Sequence, residues 1–142
     1  MKPKYITLYM DIAERISQMS YAKRLQVGSV IVKENTILSY GWNGMPTNWE
    51  NTCEVELEDG SLRTKPEVLH SEMNALMKVA QSTESTKDAV LFCTHSPCID
   101  CAKAIYQSGI ETVYYKETYR SEDGLNFLRK SGINVHRHTD RT

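Results

Sequence analysis

Apolar residues recur at steps of three and four positions along parts of the chain, which is typical of helices with one buried face. Together with Gly109 and Gly132, residues of the kind that follow a helix end, this pattern predicts four helices. They cover Tyr5–Ser20, Glu67–Gln81, Pro97–Ser108 and Ser121–Ser131. The residues expected to face the core are Ile6, Tyr9, Ile12, Ala13, Ile16 and Met19 in the first helix, and Met73, Leu76, Met77 and Ala80 in the second.

Five short apolar segments, several of them rich in β-branched residues, predict strands. They are Gln26–Lys33, Thr36–Gly41, Ala89–Thr94, Ile110–Lys116 and Ile133–His138. Only Glu34 and Asn35 separate the first two strands, which are therefore expected to form an antiparallel hairpin. Helices join the last three strands, which are therefore expected to be parallel. The predicted fold is α/β, with a five-stranded mixed sheet in a single domain that covers residues 1–142.

The stretch from Trp42 to Pro66 has no sustained periodicity and contains N-G, M-P and D-G turn signals. Irregular segments of this length in compact domains are usually functional or disordered. Because this one contains both tryptophans and Cys53, we expect part of it to cover a ligand or to pack against another subunit.

Composition and charge narrow the function classes. The 142 residues include 17 Lys and Arg against 18 Asp and Glu, a net charge of −1, whereas proteins that bind nucleic acids usually show a basic excess or stripe. There is no apolar run of membrane length and no signal-peptide pattern. Four cysteines are too few for a disulfide scaffold. We therefore expect a cytoplasmic protein without a nucleic-acid or membrane partner.

The most informative motif combines His70 with Cys98 and Cys101, all of which are good zinc ligands. A catalytic zinc takes three protein ligands and leaves one position for water, whereas a structural zinc is closed by four. Cys98 and Cys101 are three residues apart and follow Pro97, which suits a helix start. Both thiols are therefore predicted in a first helical turn, where the helix dipole favours the thiolate form.

Glu72 is a titratable group two residues after His70. The two side chains reach one ion only if it lies over the start of their helix. H-x-E followed by P-C-x-x-C is the signature of zinc-dependent nucleobase deaminases, in which the glutamate is a general acid and base and not a ligand. The alternative is a closed structural zinc site with His95 or Cys53 as the fourth ligand, which would have no use for Glu72.

Three basic residues are candidates for contact with an anion. Lys23 and Arg24 directly precede the first strand, where they either contact an anion or lie on the solvated surface. Arg120, with Tyr119, follows a parallel strand, and ligands bind beyond the carboxyl ends of parallel strands. A guanidinium at that place suits a phosphate, which it can bind with two hydrogen bonds.

These residues together resemble the cytidine deaminase superfamily and, within it, the deoxycytidylate (dCMP) deaminases. The resemblance runs from Gln26 to Gly132. Four features narrow it to the dCMP deaminases: G-W-N-G-M-P at 41–46, close to the family's G-Y-N-G-x-P; Asn74 of H-x-E-x-N-A; Ser96 before Pro97-Cys98; and the segment at Tyr119. Ser71 stands where the family usually has alanine, a small-for-small change.

The resemblance implies a three-layer α-β-α cytidine deaminase-like fold and the hydrolytic deamination of dCMP to dUMP and ammonia, which would supply dUMP for thymidylate synthesis. It implies one zinc ion on His70, Cys98 and Cys101, with Glu72 as the proton shuttle. Asn43 would hold the deoxyribose, although an asparagine before glycine is also a common turn former. The complete set of expected substrate contacts is Asn43, Lys23, Arg24, Asn74, Ser96, Tyr119 and Arg120.

Further expectations follow from the family. Its members are commonly homohexamers that dCTP activates and dTTP inhibits, with Mg²⁺ accompanying the allosteric nucleotide. Two kinds of alternative remain open at this point. One is a deaminase of another free nucleoside or base, such as cytidine, deoxycytidine or guanine, or of a riboflavin precursor. The other is a non-catalytic zinc-containing module that binds nucleotides.

Overall fold

The computed structural model describes residues 1–139, so the last three residues of the predicted domain lie outside the described range. In chain order the elements are α1 (Pro3–Ser17), β1 (Gly28–Lys33), β2 (Thr36–Trp42), β3 (Glu54–Glu56), β4 (Leu62–Thr64), α2 (Ser71–Ala80), β5 (Val90–His95), α3 (Ile99–Gln107), β6 (Thr112–Glu117), α4 (Asp123–Lys130) and β7 (Asn134–Arg137). Within these residues, no helix combines the length and the apolar character needed to cross a membrane.

The main sheet has five strands in the order β2-β1-β5-β6-β7. Strand β1 pairs antiparallel with both β2 and β5, whereas β5, β6 and β7 are parallel. The predicted mixed sheet, with an antiparallel hairpin followed by parallel strands, is therefore confirmed. Glu34 and Asn35 form the hairpin turn with φ values of 52° and 57°, the left-handed conformation that matches the twist of a two-residue β-turn.

Helices cover both faces of the sheet. On one face, Tyr9, Met10 and Ala13 of α1 pack against Val30, Val32 and Phe92. On the other face, helices α2, α3 and α4 pack around a larger cluster that includes Ile31, Leu91 and Val113. Because β1 and β5 are covered on both sides, neighbouring residues of each strand can all be apolar. This arrangement is the expected three-layer α-β-α fold.

The buried face of α2 differs from the predicted one. Met77 is 47% exposed and Ala80 is also exposed, whereas Ala75 and Val79 are buried. Helix α2 packs across β1 and β2, and this contact buries residues spaced four apart, beginning at Ser71. Spacing alone could not choose this face, since alternative apolar stripes occur on the same helix.

The carboxyl end of α1 also differs from the prediction. The helix ends at Ser17 rather than at Ser20, and Met19 lies beyond it, 49% exposed. Ser17 donates its side-chain hydroxyl hydrogen bond to the backbone oxygen of Glu14 at 2.6 Å. The prediction that Met19 faces the core is therefore wrong.

The irregular stretch from Trp42 to Pro66 contains a second, small sheet. Strands β3 and β4 pair antiparallel with Glu54 opposite Thr64 and Glu56 opposite Leu62. Each strand has three residues, which is too short for an alternating pattern to stand out in the sequence. The hairpin packs beside the segment that precedes β1, and this contact brings it to the functional site.

Candidate active site

Both zinc motifs lie at helix N-termini. His70 is the N-cap of α2 and Cys98 is the N-cap of α3, each with an extended backbone conformation. The predicted helix starts at Glu67 and Pro97 are therefore too early, and Cys98 lies just outside the first turn that was expected to contain it. A residue that caps a helix keeps an extended backbone, and the Sγ of Cys98 accepts a hydrogen bond from the backbone N–H of Cys101 at 3.4 Å.

The three predicted ligands converge. The Nδ1 atom of His70 lies 3.3 Å from Sγ of Cys101 and 3.4 Å from Sγ of Cys98. Tetrahedral coordination with Zn–S near 2.3 Å and Zn–N near 2.05 Å requires N···S separations of about 3.5 Å. The donor atoms present, one imidazole nitrogen and two thiol sulfurs, therefore fit a zinc ion in both chemistry and spacing.

The site offers three ligands from residues 1–139. His70, Cys98 and Cys101 form the one group of at least three metal-binding side chains found in that part of the chain, and neither His95 nor Cys53 belongs to it. Cys53 is buried, with its thiol directed to the backbone oxygen of Asn51 at 3.5 Å. A three-ligand set leaves one coordination position for water or substrate.

The electrostatics of the two thiols differ. The pKa of Cys98 is lowered to about 4, first because the Cys101 thiol donates a hydrogen bond to it and then because His70 does. The same hydrogen bond, together with burial, raises the pKa of Cys101. The pKa of His70 is raised, mainly by its hydrogen bond with Cys98. The hydrogen bonds to Cys98 therefore favour its thiolate, the form that binds a metal.

Glu72 lies in the first turn of α2 and is only 4% exposed. Its Oε1 atom accepts a hydrogen bond from the hydroxyl of Ser71 at 2.7 Å. Burial raises the pKa of its carboxyl group, although the hydrogen bond from Ser71 works in the opposite direction. A buried carboxyl whose pKa is raised above its ordinary value holds a proton more readily, which suits a group that takes up and releases protons.

A cavity of about 490 Å³ opens beside these groups. Its size is within the range of pockets that bind small molecules. It is lined by residues of the zinc motifs and by polar residues from four other segments. Those with a predicted or possible chemical role are His70, Glu72, Cys98, Arg24, Asn43, Glu54, Thr64, His95, Ser96, Tyr119 and Arg120.

The segment after β6 forms one wall of this cavity. The hydroxyl of Ser96 accepts a hydrogen bond from the backbone N–H of Tyr119 at 2.7 Å. The backbone N–H of Ser96 donates to the backbone oxygen of Glu117 at 2.8 Å. The guanidinium of Arg120 donates to the phenol oxygen of Tyr119 at 3.0 and 3.3 Å. Ser96 therefore fixes the segment that presents Tyr119 and Arg120.

The β3–β4 hairpin contributes Glu54 and Thr64 to the wall of the cavity. The buried carboxylate of Glu54 accepts hydrogen bonds from the backbone N–H groups of Lys23 and Arg24 at 2.9 and 3.1 Å. The guanidinium of Arg24 donates to the hydroxyl of Thr64 at 2.9 Å. These contacts bring Arg24 to the cavity, and Glu54 and Thr64 with it. Glu54 and Thr64 are not among the predicted site residues, because they lie in the stretch without periodicity.

Two other predicted substrate contacts, Asn43 and Asn74, form side-chain hydrogen bonds to the backbone. The side-chain amide of Asn43 accepts from the N–H of Val27 at 2.9 Å and donates to the oxygen of Leu25 at 2.8 Å, so it ties two cavity-lining residues together. Asn74 donates to the backbone oxygen of Trp42 at 2.7 Å. Neither Asn74 nor the exposed Lys23 is among the residues that line the cavity.

His95 also lines the cavity. Its Nδ1 atom lies 3.0 Å from the hydroxyl oxygen of Thr94. Burial lowers the pKa of its imidazole, and the nearby Glu117 raises it to a smaller extent. His95 is therefore a polar wall residue and not part of the metal group.

Comparisons with known proteins agree with this site. A family model described as the cytidine and deoxycytidylate deaminase zinc-binding region matches residues 3–117. The deoxycytidylate deaminase of Enterobacteria phage T4 is 33% identical over 165 aligned positions, which cover 89% of this chain and 86% of the phage protein. The human deoxycytidylate deaminase is 34% identical over 137 positions, covering 89% of this chain and 71% of the human protein.

Among solved structures, the dCMP deaminase of cyanophage S-TIM5, crystallised with dCMP and dUMP, superposes with a TM-score of 0.90. It is 50% identical, and the match covers 97% of this chain and 99% of the phage chain. The matched region includes the zinc motifs and the elements that position them. The chain therefore belongs to the cytidine and deoxycytidylate deaminase family, hydrolases that act on carbon–nitrogen bonds, and the three relatives described above are dCMP deaminases.

Proposed function

We propose that the chain catalyses the hydrolytic deamination of dCMP to dUMP and ammonia. The observation that most supports this reaction is that one cavity is lined by His70, Cys98 and Glu72 and also by Arg24 and Arg120. Zinc ligands beside a buried carboxyl suit hydrolysis at the amidine carbon of cytosine. Guanidinium groups in the same cavity suit a phosphate group.

We propose that His70, Cys98 and Cys101 hold one zinc ion, which when bound supplies Lewis-acid activation of a water molecule. The proton transfers fall to Glu72. Its carboxylate takes a proton from the attacking water and delivers it to N3 of the cytosine ring. It then carries the second proton of that water to the amine at C4, so that ammonia leaves and the oxygen remains as the carbonyl of dUMP.

The phosphate is expected to bind at Arg120 and Arg24. The Tyr119 hydroxyl orients the Arg120 guanidinium, and Ser96 holds the Tyr119 backbone. Thr64 orients the guanidinium of Arg24 in the same way. Hydrogen bonds between a guanidinium and a phosphate are charge-assisted and among the strongest available to a protein.

The deoxyribose is expected to lie against the wall that Asn43 holds together. Because both ends of the Asn43 amide already have backbone partners, its contribution is to fix Leu25 and Val27. Lys23 and Asn74 act indirectly. Lys23 does so through its backbone hydrogen bond to Glu54, and Asn74 by holding the end of β2 at Trp42.

The proposal extends to the place and regulation of the reaction. We propose that the dUMP formed supplies thymidylate synthesis in the cytoplasm, and that a homohexamer is activated by dCTP and inhibited by dTTP with Mg²⁺. This extension rests on the family resemblance. Light scattering after size-exclusion chromatography, with and without each nucleotide, measures the oligomer, and a monomer in every condition would contradict it.

Loss of cytosine absorbance tests the reaction. The zinc-loaded protein is given dCMP or deoxycytidine, each with and without dCTP and Mg²⁺. We expect turnover of dCMP, with a much higher KM for deoxycytidine. Arg120→Ala is expected to raise the KM for dCMP roughly tenfold, as for the loss of a charge-assisted hydrogen bond, and to leave deoxycytidine unaffected. An equal effect on both substrates would contradict the phosphate contact.

Glu72→Gln tests the proton shuttle. The amide occupies nearly the same volume and keeps an acceptor for Ser71, so the variant is expected to retain zinc but to lose turnover. Cys98→Ala provides the complementary variant, since it should lose the metal itself. If Glu72→Gln kept most of the wild-type rate, or if Cys98→Ala kept wild-type zinc content, the corresponding assignment would be wrong.

A further inference from the structure

Two buried serine hydroxyls form a hydrogen-bonded chain to the carboxyl group of Glu72, and one of these serines, Ser71, also lines the cavity. Ser71 and Ser29 are both fully buried. The Ser71 hydroxyl donates to Oε1 of Glu72 at 2.7 Å, and the hydroxyl oxygens of Ser29 and Ser71 are 2.6 Å apart. Ser29 lies near the start of β1, between Gly41 and Cys93 in the sheet. A chain of two hydrogen bonds therefore joins the centre of the sheet to the carboxyl group.

The number of protons on each hydroxyl decides which serine donates in the hydrogen bond between Ser29 and Ser71. A serine hydroxyl has one proton to donate and two lone pairs to accept with. Since Ser71 gives its proton to Glu72, Ser29 must be the donor in the bond between the two serines. Ser29 thereby fixes the orientation of the Ser71 hydroxyl, and Ser71 fixes one oxygen of the carboxyl group.

This arrangement has a consequence for Glu72. The terminal torsion of a glutamate side chain is broad in the absence of a partner, so the hydrogen bond from Ser71 narrows the orientations that the carboxyl group of this chain can adopt. Ser71 holds Oε1 of this carboxyl group, and Glu72 lines the cavity. We propose that Ser71, oriented by Ser29, is a positioning residue that holds the Glu72 carboxyl in its reactive orientation. This inference rests on the proposed role of Glu72.

A purely structural role makes a different prediction. Two buried hydroxyls could serve only to satisfy one another, and their loss would then change stability without changing the chemical step. Ser39 provides a matched control. It is a buried serine of β2 that does not line the cavity. Its hydroxyl donates to the backbone oxygen of Ala75 at 2.9 Å, and Ala75 lies in the same helix as Glu72.

The experiment compares Ser71→Ala, Ser29→Ala, the double variant and Ser39→Ala. Ser71→Ala is expected to lower kcat for dCMP roughly ten- to hundredfold, as for the loss of a hydrogen bond to a charged group. KM and zinc content should stay at the wild-type level. Ser29→Ala should cause a smaller loss of kcat, because Ser71 keeps its own bond to Glu72. The double variant should lose no more than Ser71→Ala, because Ser29 acts only through Ser71.

Ser39→Ala is expected to leave kcat unchanged. A wild-type kcat in Ser71→Ala, or losses that multiply in the double variant, would overturn the proposal. If Ser71→Ala does not fold, Ser29→Ala decides the question. In that case, a lower kcat at unchanged KM and zinc content supports positioning, and an unchanged kcat refutes it.

A second readout does not depend on turnover. A crystal structure of zinc-loaded Ser71→Ala should show the Glu72 carboxyl rotated from its wild-type plane, whereas an unchanged carboxyl would contradict the proposal. Glu72→Gln, assayed in parallel, separates this inference from the proposed function. Full activity in Glu72→Gln would overturn the shuttle role, whereas full activity only in Ser71→Ala would overturn the positioning role.

Discussion

Gly124 in the first turn of α4 is predicted to control the position of Cys98. A Cβ atom added at Gly124 would overlap the carbonyl oxygen of Pro97 and lie 2.9 Å from both the carbonyl carbon and the carbonyl oxygen of Cys98. Ordinary contacts to a Cβ begin near 3.4 Å, so the carbonyl group of Cys98 must move away from the added Cβ by at least about 0.5 Å. Zinc–ligand distances tolerate only about 0.2 Å.

Gly124→Ala should therefore weaken zinc binding. Changes in the groups that support metal ligands typically lower affinity roughly ten- to hundredfold, and we expect a loss of that size. Competition with a chromogenic chelator measures the zinc affinity, and urea unfolding of the zinc-loaded protein measures the stability. Turnover of dCMP at saturating zinc should recover in part, since the variant retains all three ligands.

Gly132 provides the control. It follows α4 and has a φ of 89°, and a Cβ added there would meet no atom within 4 Å. Gly132→Ala should lower the free energy of unfolding by about 1–2 kcal/mol, the cost of a left-handed backbone for an L-residue, with zinc affinity unchanged. Wild-type zinc affinity in Gly124→Ala would refute the idea that close packing of α4 sets the position of Cys98.

Three further predictions concern charge and hydrogen bonding. In the metal-free protein, Glu72→Gln should raise the free energy of unfolding, because burial raises the pKa of Glu72. The gain should be absent below the ordinary glutamate pKa of about 4.3 and should grow as the pH rises above it. Urea unfolding at acidic and neutral pH measures this gain in the free energy of unfolding. A gain that does not depend on pH would show that it does not come from the ionisation of Glu72. Asn43→Ala should lower the free energy of unfolding by about 1 kcal/mol, because Val27 and Leu25 lose their hydrogen bonds to the half-buried Asn43 amide; an unchanged urea midpoint would refute this. Added salt should raise the KM for dCMP more than that for deoxycytidine, because salt screens the phosphate contact; equal effects in the absorbance assay would count against that contact.

The metal group could be predicted from the sequence because its information is local. Cys98 and Cys101 are three residues apart at one helix start, and His70 begins another helix, so side-chain type and spacing alone indicate a zinc site. The orientation of the hairpin and of the last three strands was also predictable. A two-residue turn requires an antiparallel hairpin, and helical connections favour parallel strands.

The sequence did not determine which face of α2 is buried. Met77 and Val79 are both apolar, and only the packing of the helix across β1 and β2 decided that Val79 is buried. The same packing places Ser71 against Ser29, a pair separated by 42 positions. Contacts of this kind depend on how elements dock, and no local pattern encodes them.

The residues that line the cavity were also predictable only in part. Arg120 was predicted beside the pocket because strand topology brings the end of β6 there. Glu54 and Thr64 were missed, since they reach the site through a hairpin of three-residue strands that docks on Lys23 and Arg24 about thirty positions earlier. The sequence by itself thus determined the chemistry of the site, because metal ligation and helix starts depend on neighbouring residues. Tertiary structure decided the shape of the cavity and the contact of Ser71 with Ser29, because both depend on segments that are distant in the chain.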